Sequence, residues 1–518
     1  MIMKLSELIA ALPIKGTSGD LDVEIRGIAH DSRRVRPGDI FVAIKGLNVD
    51  GHDYIPEAIA HGAVAVVVER ELRGLEGTQG ELPSVPLSPP EFPFIIVSDS
   101  RRALALLSAA FYGFPARKLR MIGVTGTDGK TTTVNLIRAI LTAAGYRVGM
   151  ISTVEAIIGG ERIDTGLHTT TPDAPDVQRY LAQMVEAGAE YAVLEATSHG
   201  LHQRRLDSCD FDVAVLTNIT HEHLDYHKTY ENYREAKAQL FRGLATSFRK
   251  PETLKVAILN ADDPSFPYFI GIPADMRLSY GINNHADVMA EDTLHSPSGT
   301  SFTVTTPKGR FRVETSLLGK FNVYNILAAI AVGLSQGVPF EAMREAIRAF
   351  ESVVGRMERI DLGQDFTVII DFAHTPNALK NALEVARTLI TGKLISVFGC
   401  AGLRDRDKRP VMGRIAGEMA DRIVITAEDP RTEDLNEIMA QIAAGCEEVG
   451  CREGRDYWRI GDRGEAIRFA LCLAEPGDLV IITGKGHERS MCFGETEYPW
   501  SDHEAVMKGL RELMGQGG

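Results

Sequence analysis

The sequence predicts an α/β protein of three domains, with mostly parallel sheets flanked by helices. Three observations carry this. A chain of 518 residues has the length of about three ordinary domains. From Arg120 onward, short apolar runs that suit buried strands alternate with stretches of helical spacing, the pattern of a parallel sheet. Near Gly355 that alternation starts afresh. The boundaries drawn are 1–117 for a smaller N-terminal α/β domain, 118–354 for a central domain, and 355–518 for a Rossmann-like C-terminal domain.

The N-terminus, Met1 to Leu12, has the spacing of an amphipathic helix and not of a signal peptide. Residues 72–93 carry Pro83, Pro86, Pro89, Pro90 and Pro93, too dense for strand or helix, so a surface loop is expected inside the first domain. In the central domain, strands are expected at 147–152, 191–195, 213–218 and 256–260, then a strand-rich patch at 301–318 and a helix at about 323–336. In the third domain, strands are expected at 367–371, 393–398, 422–426 and 479–483.

Between the apolar run ending at Val124 and the helical run from Val134 lies Thr-Gly-Thr-Asp-Gly-Lys-Thr-Thr-Thr, residues 125–133, with Gly123 just before Val124. A glycine-rich turn between strand and helix aims backbone N–H groups at a phosphate, adds the positive end of the helix, and lets a lysine reach the terminal phosphates. Gly126, Thr127, Asp128 and Gly129 would form the turn, Lys130 would reach the phosphates, Thr131 would put its hydroxyl on Mg²⁺, and Thr132 would follow. The central sheet is therefore of phosphate-loop type, and a nucleoside triphosphate with Mg²⁺ is the expected pair. Ligands in open α/β sheets bind beyond the carboxyl ends of strands. Glu195 and Asn218 stand at two such ends, and the second opens a segment holding His221, His223 and His227. A carboxylate and one of those imidazoles suit a metal ion beside the phosphates; the residues alone leave open which histidine. Lys237, taken alone, reads as a solvated helix lysine.

Composition narrows the rest. A net charge of -14 argues against a broad nucleic-acid footprint, and 44% hydrophobic with 24% charged residues is that of a globular protein. The six cysteines form no Cys-x-x-Cys pair, which favours reduced thiols in a cytoplasmic setting. No apolar stretch is long enough to span a bilayer.

The phosphate loop, the Glu195-Ala-Thr-Ser-His-Gly segment and the Asn218-Ile-Thr-His-Glu-His-Leu-Asp segment together resemble the Mur ligases, ATP-dependent amide-bond-forming enzymes of peptidoglycan precursor synthesis. The resemblance runs in order over nearly the whole chain. It takes in Asp31-Ser32-Arg33, Asp50-Gly51-His52, Thr169-Thr170-Thr171-Pro172, Gly319 to Asn325, Gly355-Arg356-Met357-Glu358, Asp371 to Pro376 and Gly484-Lys485-Gly486-His487-Glu488. The set is most similar to the branch that adds the third residue of the peptide, acting on a UDP-N-acetylmuramoyl dipeptide through an acyl phosphate.

The resemblance implies a role for each of several residues. Lys130 and Thr131 would hold phosphates and Mg²⁺, with Glu195 and His223 as further ligands. Lys237 would be carbamylated by CO₂ and so become an oxygen ligand. Asn322 and Asn325 would approach the adenine, and Arg356 and Asp371 would reach ATP from the third domain. Ser32, Leu47, Asn48 and Val49 would hold the uridine end, and Thr170, Thr171, Thr197, Gln203 and Arg205 the diphosphate and sugar-peptide. The incoming amino acid would meet Glu428, Asp429, Arg431, Gly484 and Glu488.

Diaminopimelate-adding members carry Asp-Asn-Pro-Arg, where this chain has Glu428-Asp429-Pro430-Arg431. Arg431 points to a distal carboxylate and hence to meso-diaminopimelate. Asp429 pulls toward the distal ammonium of L-lysine or L-ornithine, so the expectation is a basic diamino acid with diaminopimelate ahead. The implied partners are the UDP-muramoyl dipeptide and that amino acid, with no nucleic acid, no membrane, and a monomeric chain. Two alternatives stand beside this one: a folylpolyglutamate synthetase-like ligase, and a nucleotide-binding scaffold without catalysis.

Overall fold

The computed structural model describes residues 2–46, 49–70, 92–164, 171–220, 222, 224–296 and 299–515. The expected proline-rich loop at 72–93 therefore lies almost wholly outside the described residues, as do Leu47, Asn48, Thr170, His221 and His223. No helix among the described residues is long and apolar enough to cross a membrane.

Three sheets organise the chain. The first has five strands in the order Ile14–Ser18, Phe94–Val97, Ala65–Val68, Asp39–Val42, Gly27–Ala29; its last four are parallel. The central sheet has eleven. Its middle is parallel: Val148–Ile151, Tyr191–Glu195, Arg120–Thr125, Val213–Leu216, Val256–Asn260, Met276–Gly281 and the start of Val288–Ser296. Antiparallel strands finish each edge, Glu155–Ile158 with Glu161–Asp164 at one and Gly299–Thr306 with Gly309–Thr315 at the other. The third sheet has six strands, of which only Glu358–Ile360 runs antiparallel to its neighbour. The α/β architecture with mostly parallel, helix-flanked sheets is thus as expected.

Each sheet is sealed by an apolar layer on both faces. That explains why so many strands read as unbroken apolar runs instead of alternating ones. Helix Lys320–Ser335 is apolar nearly all round, with Ile326 to Val332 fully buried, because it lies between the phosphate-loop helix Lys130–Ala143 and the sheet.

Local expectations differed in three places. The N-terminal stretch forms only the short helix Leu5–Ile9, because Met3–Lys4 pairs as a strand with Glu24–Ile25. The strand-rich patch begins earlier, at Val288, and the helix expected from Val323 starts at Lys320. All six cysteines are free thiols.

Candidate active site

The carboxyl ends of the central and C-terminal parallel strands face each other across a cavity of about 1860 Å³. On the central side, strand Arg120–Thr125 runs into the turn and on into helix Lys130–Ala143. Gly126 (φ 149°) and Gly129 (φ 82°) shape that turn. A Cβ on Gly126 would meet the Thr217 hydroxyl at 1.8 Å, and one on Gly129 the Asn325 side-chain oxygen at 2.2 Å, so neither position admits a side chain. The turn is also braced from outside: Asn218 accepts from the Asp128 N–H and donates to the Asp128 carbonyl, both at 3.0 Å, and Thr217 donates to that carbonyl at 2.7 Å. Lys130 Nζ donates to the Thr127 carbonyl at 2.7 Å and stands 3.9 Å from Glu195.

Glu195 is 4% exposed and accepts from the Thr131 hydroxyl at 2.9 Å. That oxygen–oxygen spacing suits neighbouring ligands of one octahedral ion at roughly 2.0–2.1 Å. Among the described residues, no group of three or more His, Cys, Asp and Glu forms a ready-made metal site. A Mg²⁺ held by one carboxylate, one hydroxyl and substrate phosphates fits that donor set. Thr132 is buried behind the turn and does not line the cavity.

Lys237 is the clearest correction to the sequence expectation. Far from solvated, it is 1% exposed, with Nζ donating to the Gly126 carbonyl at 2.5 Å and lying 4.3 Å from the Tyr233 ring centre. Burial first, and the neighbouring Lys130 charge second, push its pKa well below the ordinary lysine range; Glu222, Asp128 and Glu195 oppose that.

The third domain supplies the opposite wall. Arg356 reaches to 3.5 Å from the Thr131 hydroxyl and stacks its guanidinium over Phe372. Asp371 accepts from the backbone N–H of Met357 and of Ala373, both at 2.8 Å, and burial raises its pKa. Two contacts that the sequence did not announce join the domains here: Asn377 to Asp128 at 3.4 Å and His374 to Glu222 at 3.2 Å. Burial alone would lower the His374 pKa, but the Glu222 partner outweighs it and the net shift is upward. Thr153, Arg404 and Lys408 also line the cavity unannounced. The signal for the last two was available, since a run of charges follows strand Leu394–Phe398 at its carboxyl end.

Asn322 and Asn325 do not line the cavity. Both are 4% exposed and hydrogen-bonded to each other at 3.0 Å, and Asn325 accepts from Thr133 at 3.3 Å behind the turn. Thr171, Thr197, Gln203 and Arg205 do come together. The two threonine hydroxyls are 2.7 Å apart, and Arg205 donates to Gln203 at 3.1 Å and to the Thr171 carbonyl at 2.5 Å. Ser32 stands apart in the first domain, donating to Glu57 at 2.7 Å, while Val49 is exposed. The first domain meets the central one nearby, through His30 to Asp173 at 3.2 Å and Asp99 to Arg204 at 2.7 Å.

Glu428, Asp429, Arg431 and Glu488 line the end of the cavity farthest into the third domain. Glu428 is buried, with Oε2 lacking a hydrogen-bond partner, and burial raises its pKa. Gly484 packs against it, a Cβ there lying 3.3 Å from Oε2. Asp429 Oδ1 accepts from Lys485 Nζ at 2.8 Å and from the Cys492 N–H at 2.9 Å, so that oxygen is occupied internally.

Glu433 braces the loop that carries Arg404 and Lys408. It takes two hydrogen bonds from the fully buried Arg409, at 2.8 and 2.9 Å, and one from the Leu403 N–H at 2.9 Å. The Arg409 hydrogen bonds lower its pKa to about 2. A depressed carboxyl pKa stabilises above the unfolded value near about 4.3 and loses that contribution as pH falls toward the folded value. Glu433→Gln should cost about 2–4 kcal/mol at neutral pH, because it strands a buried arginine, and the deficit should shrink as pH falls to 3 or below, roughly. Both tryptophans, Trp458 and Trp500, lie in the third domain, so denaturant titrations followed by their fluorescence read this domain directly. A deficit independent of pH would refute the assignment.

The comparisons with known proteins cover the whole chain. Family models match at residues 24–112 (Mur ligase family, catalytic domain), 124–333 (Mur ligase middle domain) and 355–486 (Mur ligase, glutamate ligase domain). UDP-N-acetylmuramyl-tripeptide synthetase of Roseiflexus sp. (strain RS-1) is 45% identical over 524 residues, 100% of both chains. UDP-N-acetylmuramoyl-L-alanyl-D-glutamate--2,6-diaminopimelate ligase of Bacillus licheniformis is 43% identical over 512 residues, 99% of this chain and 100% of that one. A solved structure of a ligase with the same name superposes with a TM-score of 0.64 at 31% identity, covering 99% of this chain and 100% of the other. With a phosphate loop, a buried carboxylate beside it and a third domain closing over both, the chain belongs to the Mur ligase family of ATP-dependent, amide-bond-forming ligases.

Proposed function

We propose that the protein joins meso-diaminopimelate to UDP-N-acetylmuramoyl-L-alanyl-D-glutamate, with ATP as energy source, in peptidoglycan precursor synthesis. The observation that carries this is the placement of Arg431 on the cavity wall while Asp429 Oδ1 is taken up by Lys485. A guanidinium fork matches a distal carboxylate, and an acid already paired offers little to a distal ammonium. The relatives named for 2,6-diaminopimelate support the same amino acid.

In the proposed reaction the dipeptide carboxylate takes the terminal phosphoryl group of ATP. The amine of diaminopimelate then attacks the acyl carbon, forming the amide and expelling phosphate. Lys130 and the turn N–H groups hold the phosphates, and Arg356 offsets charge from the facing domain. Glu195 and Thr131, with His223 outside the described residues, would hold Mg²⁺, which when bound neutralises phosphate charge. Lys237 would join them as a carbamate: its neutral amine attacks the carbon of CO₂, a proton leaves, and an N–COO⁻ group results. The low pKa of the buried amine favours that step. Thr171, Thr197, Gln203 and Arg205 would hold the diphosphate and sugar-peptide, and Ser32 the uridine end. A cytoplasmic monomer is the proposed working form.

The test is phosphate release and product mass with equal meso-diaminopimelate, L-lysine and L-ornithine. Release should need the UDP-muramoyl dipeptide and an amino acid together, with the diaminopimelate adduct dominant. Dominance of lysine or ornithine would overturn the choice of amino acid. Activity on a folate-type substrate, or no turnover, would favour the folylpolyglutamate-like or scaffold alternatives.

A further inference from the structure

The segment Glu428 to Arg431 leaves strand Arg422–Ile425 in a costly shape. Asp429 (φ 43°) and Arg431 (φ 54°) both adopt the left-handed conformation. For residues with side chains this conformation is strained and persists only where surroundings impose it.

The surroundings here are a small hairpin, Ser490–Phe493 with Thr496–Pro499, and the lysine just before it. The Arg431 N–H donates to the Cys492 carbonyl at 3.1 Å, and the Gly494 N–H donates back to the Arg431 carbonyl at 2.8 Å. The Cys492 N–H donates to Asp429 Oδ1 at 2.9 Å. Lys485, fully buried, bridges Asp429 Oδ1 at 2.8 Å and Glu488 Oε2 at 2.5 Å. The backbone of Arg431 is thus gripped on both sides, while its guanidinium donates to the Gly402 carbonyl at 3.2 Å on the cavity wall.

Resting on the reaction proposed above, we infer that Asp429 and Lys485 are positioning residues that set amino-acid selectivity by fixing Arg431, and that Asp429 does not bind the substrate's distal ammonium. Lys485 also pairs with two carboxylates of the pocket wall. That pairing holds Lys485 back from the substrate and leaves Arg431 as the side chain the tie presents to the cavity.

Lys485→Met and Asp429→Asn in the full-length enzyme separate this from direct contact. If Asp429 serves as a tie, Lys485→Met should raise KM for meso-diaminopimelate by about 30-fold, with a much smaller change in kcat and no gain for L-lysine. Asp429→Asn keeps an acceptor for the Cys492 N–H and loses only charge, so its rise should be smaller, about 3- to 10-fold. If Asp429 instead binds an ammonium, Lys485→Met frees it, and selectivity should swing toward lysine; that swing, or an unchanged KM in a folded variant, overturns the inference. Amide hydrogen exchange over residues 490–499 gives a readout without substrate: both variants should exchange faster there than wild type. Unchanged exchange overturns the tie. A wild type that ligates no diaminopimelate would overturn the proposed function, while the exchange data would still judge the tie.

Discussion

Lys130→Ala should abolish ligation, lowering kcat/KM by at least about 10³-fold, while the protein stays folded. The lysine stands at the first position of its helix, 17% exposed, with Nζ held between the Thr127 carbonyl and Glu195. It belongs to no apolar cluster, so removing it opens no cavity in a core. The charge it contributes lies where terminal phosphates would sit, in a cavity partly enclosed between the central and third domains. Coulombic stabilisation there exceeds its value in water several-fold. Steady-state product formation together with thermal unfolding checks both halves. A folded variant with normal turnover would remove the phosphate-loop assignment altogether.

Changing Lys237 should be nearly as damaging, and in a way that betrays its chemistry. Lys237→Arg keeps a cation of similar reach but cannot form a carbamate, and we expect a loss of about 10²–10³-fold in kcat. In the wild-type protein, activity should fall as pH falls, because the ammonium form cannot attack CO₂, and bicarbonate should restore it when pH is raised again. Isotope-labelled bicarbonate should give a carbamate resonance in wild type and none in the arginine variant. An unmodified amine under saturating nucleotide and Mg²⁺, with full activity, would exclude the carbamate.

How much of this was legible beforehand varies with what each feature depends on. The strands Tyr191–Glu195, Val256–Asn260, Thr367–Asp371 and Leu479–Thr483 match the expected ranges residue for residue. Each is buried on both faces, so its apolar run ends where polar loop residues begin. The phosphate loop was legible because glycines and a lysine must occur at fixed offsets along one short segment. Lys237 was misread for the opposite reason. It lies on the apolar stripe of its helix with Tyr233, Leu240, Phe241 and Leu244, but nothing local names the partner it meets there, Gly126, which lies 111 residues earlier. Asp429 likewise has a partner beyond local reach, Lys485, 56 residues away. The short N-terminal helix was overestimated because apolar spacing there also satisfies a strand pairing with Glu24–Ile25. Local pattern reports which face is buried; it does not report against what.

The three sheets have a consequence for the order in which the molecule comes into being. Each is closed by strands drawn from one continuous stretch of chain: 14–97, 120–315 and 358–483. None waits for a strand from a later stretch, so each can complete its hydrogen-bonded ladder as it leaves the ribosome, in sequence from the N-terminus. The cavity is built differently. Its wall runs from Gly126 to Ser490, taking residues from the second and third sheets alike. Folding is therefore piecemeal while competence is not: a nascent chain acquires its phosphate loop before the far wall of the cavity has been made. During synthesis, the half that could hold a nucleotide is kept from its partner half until the final hairpin has emerged.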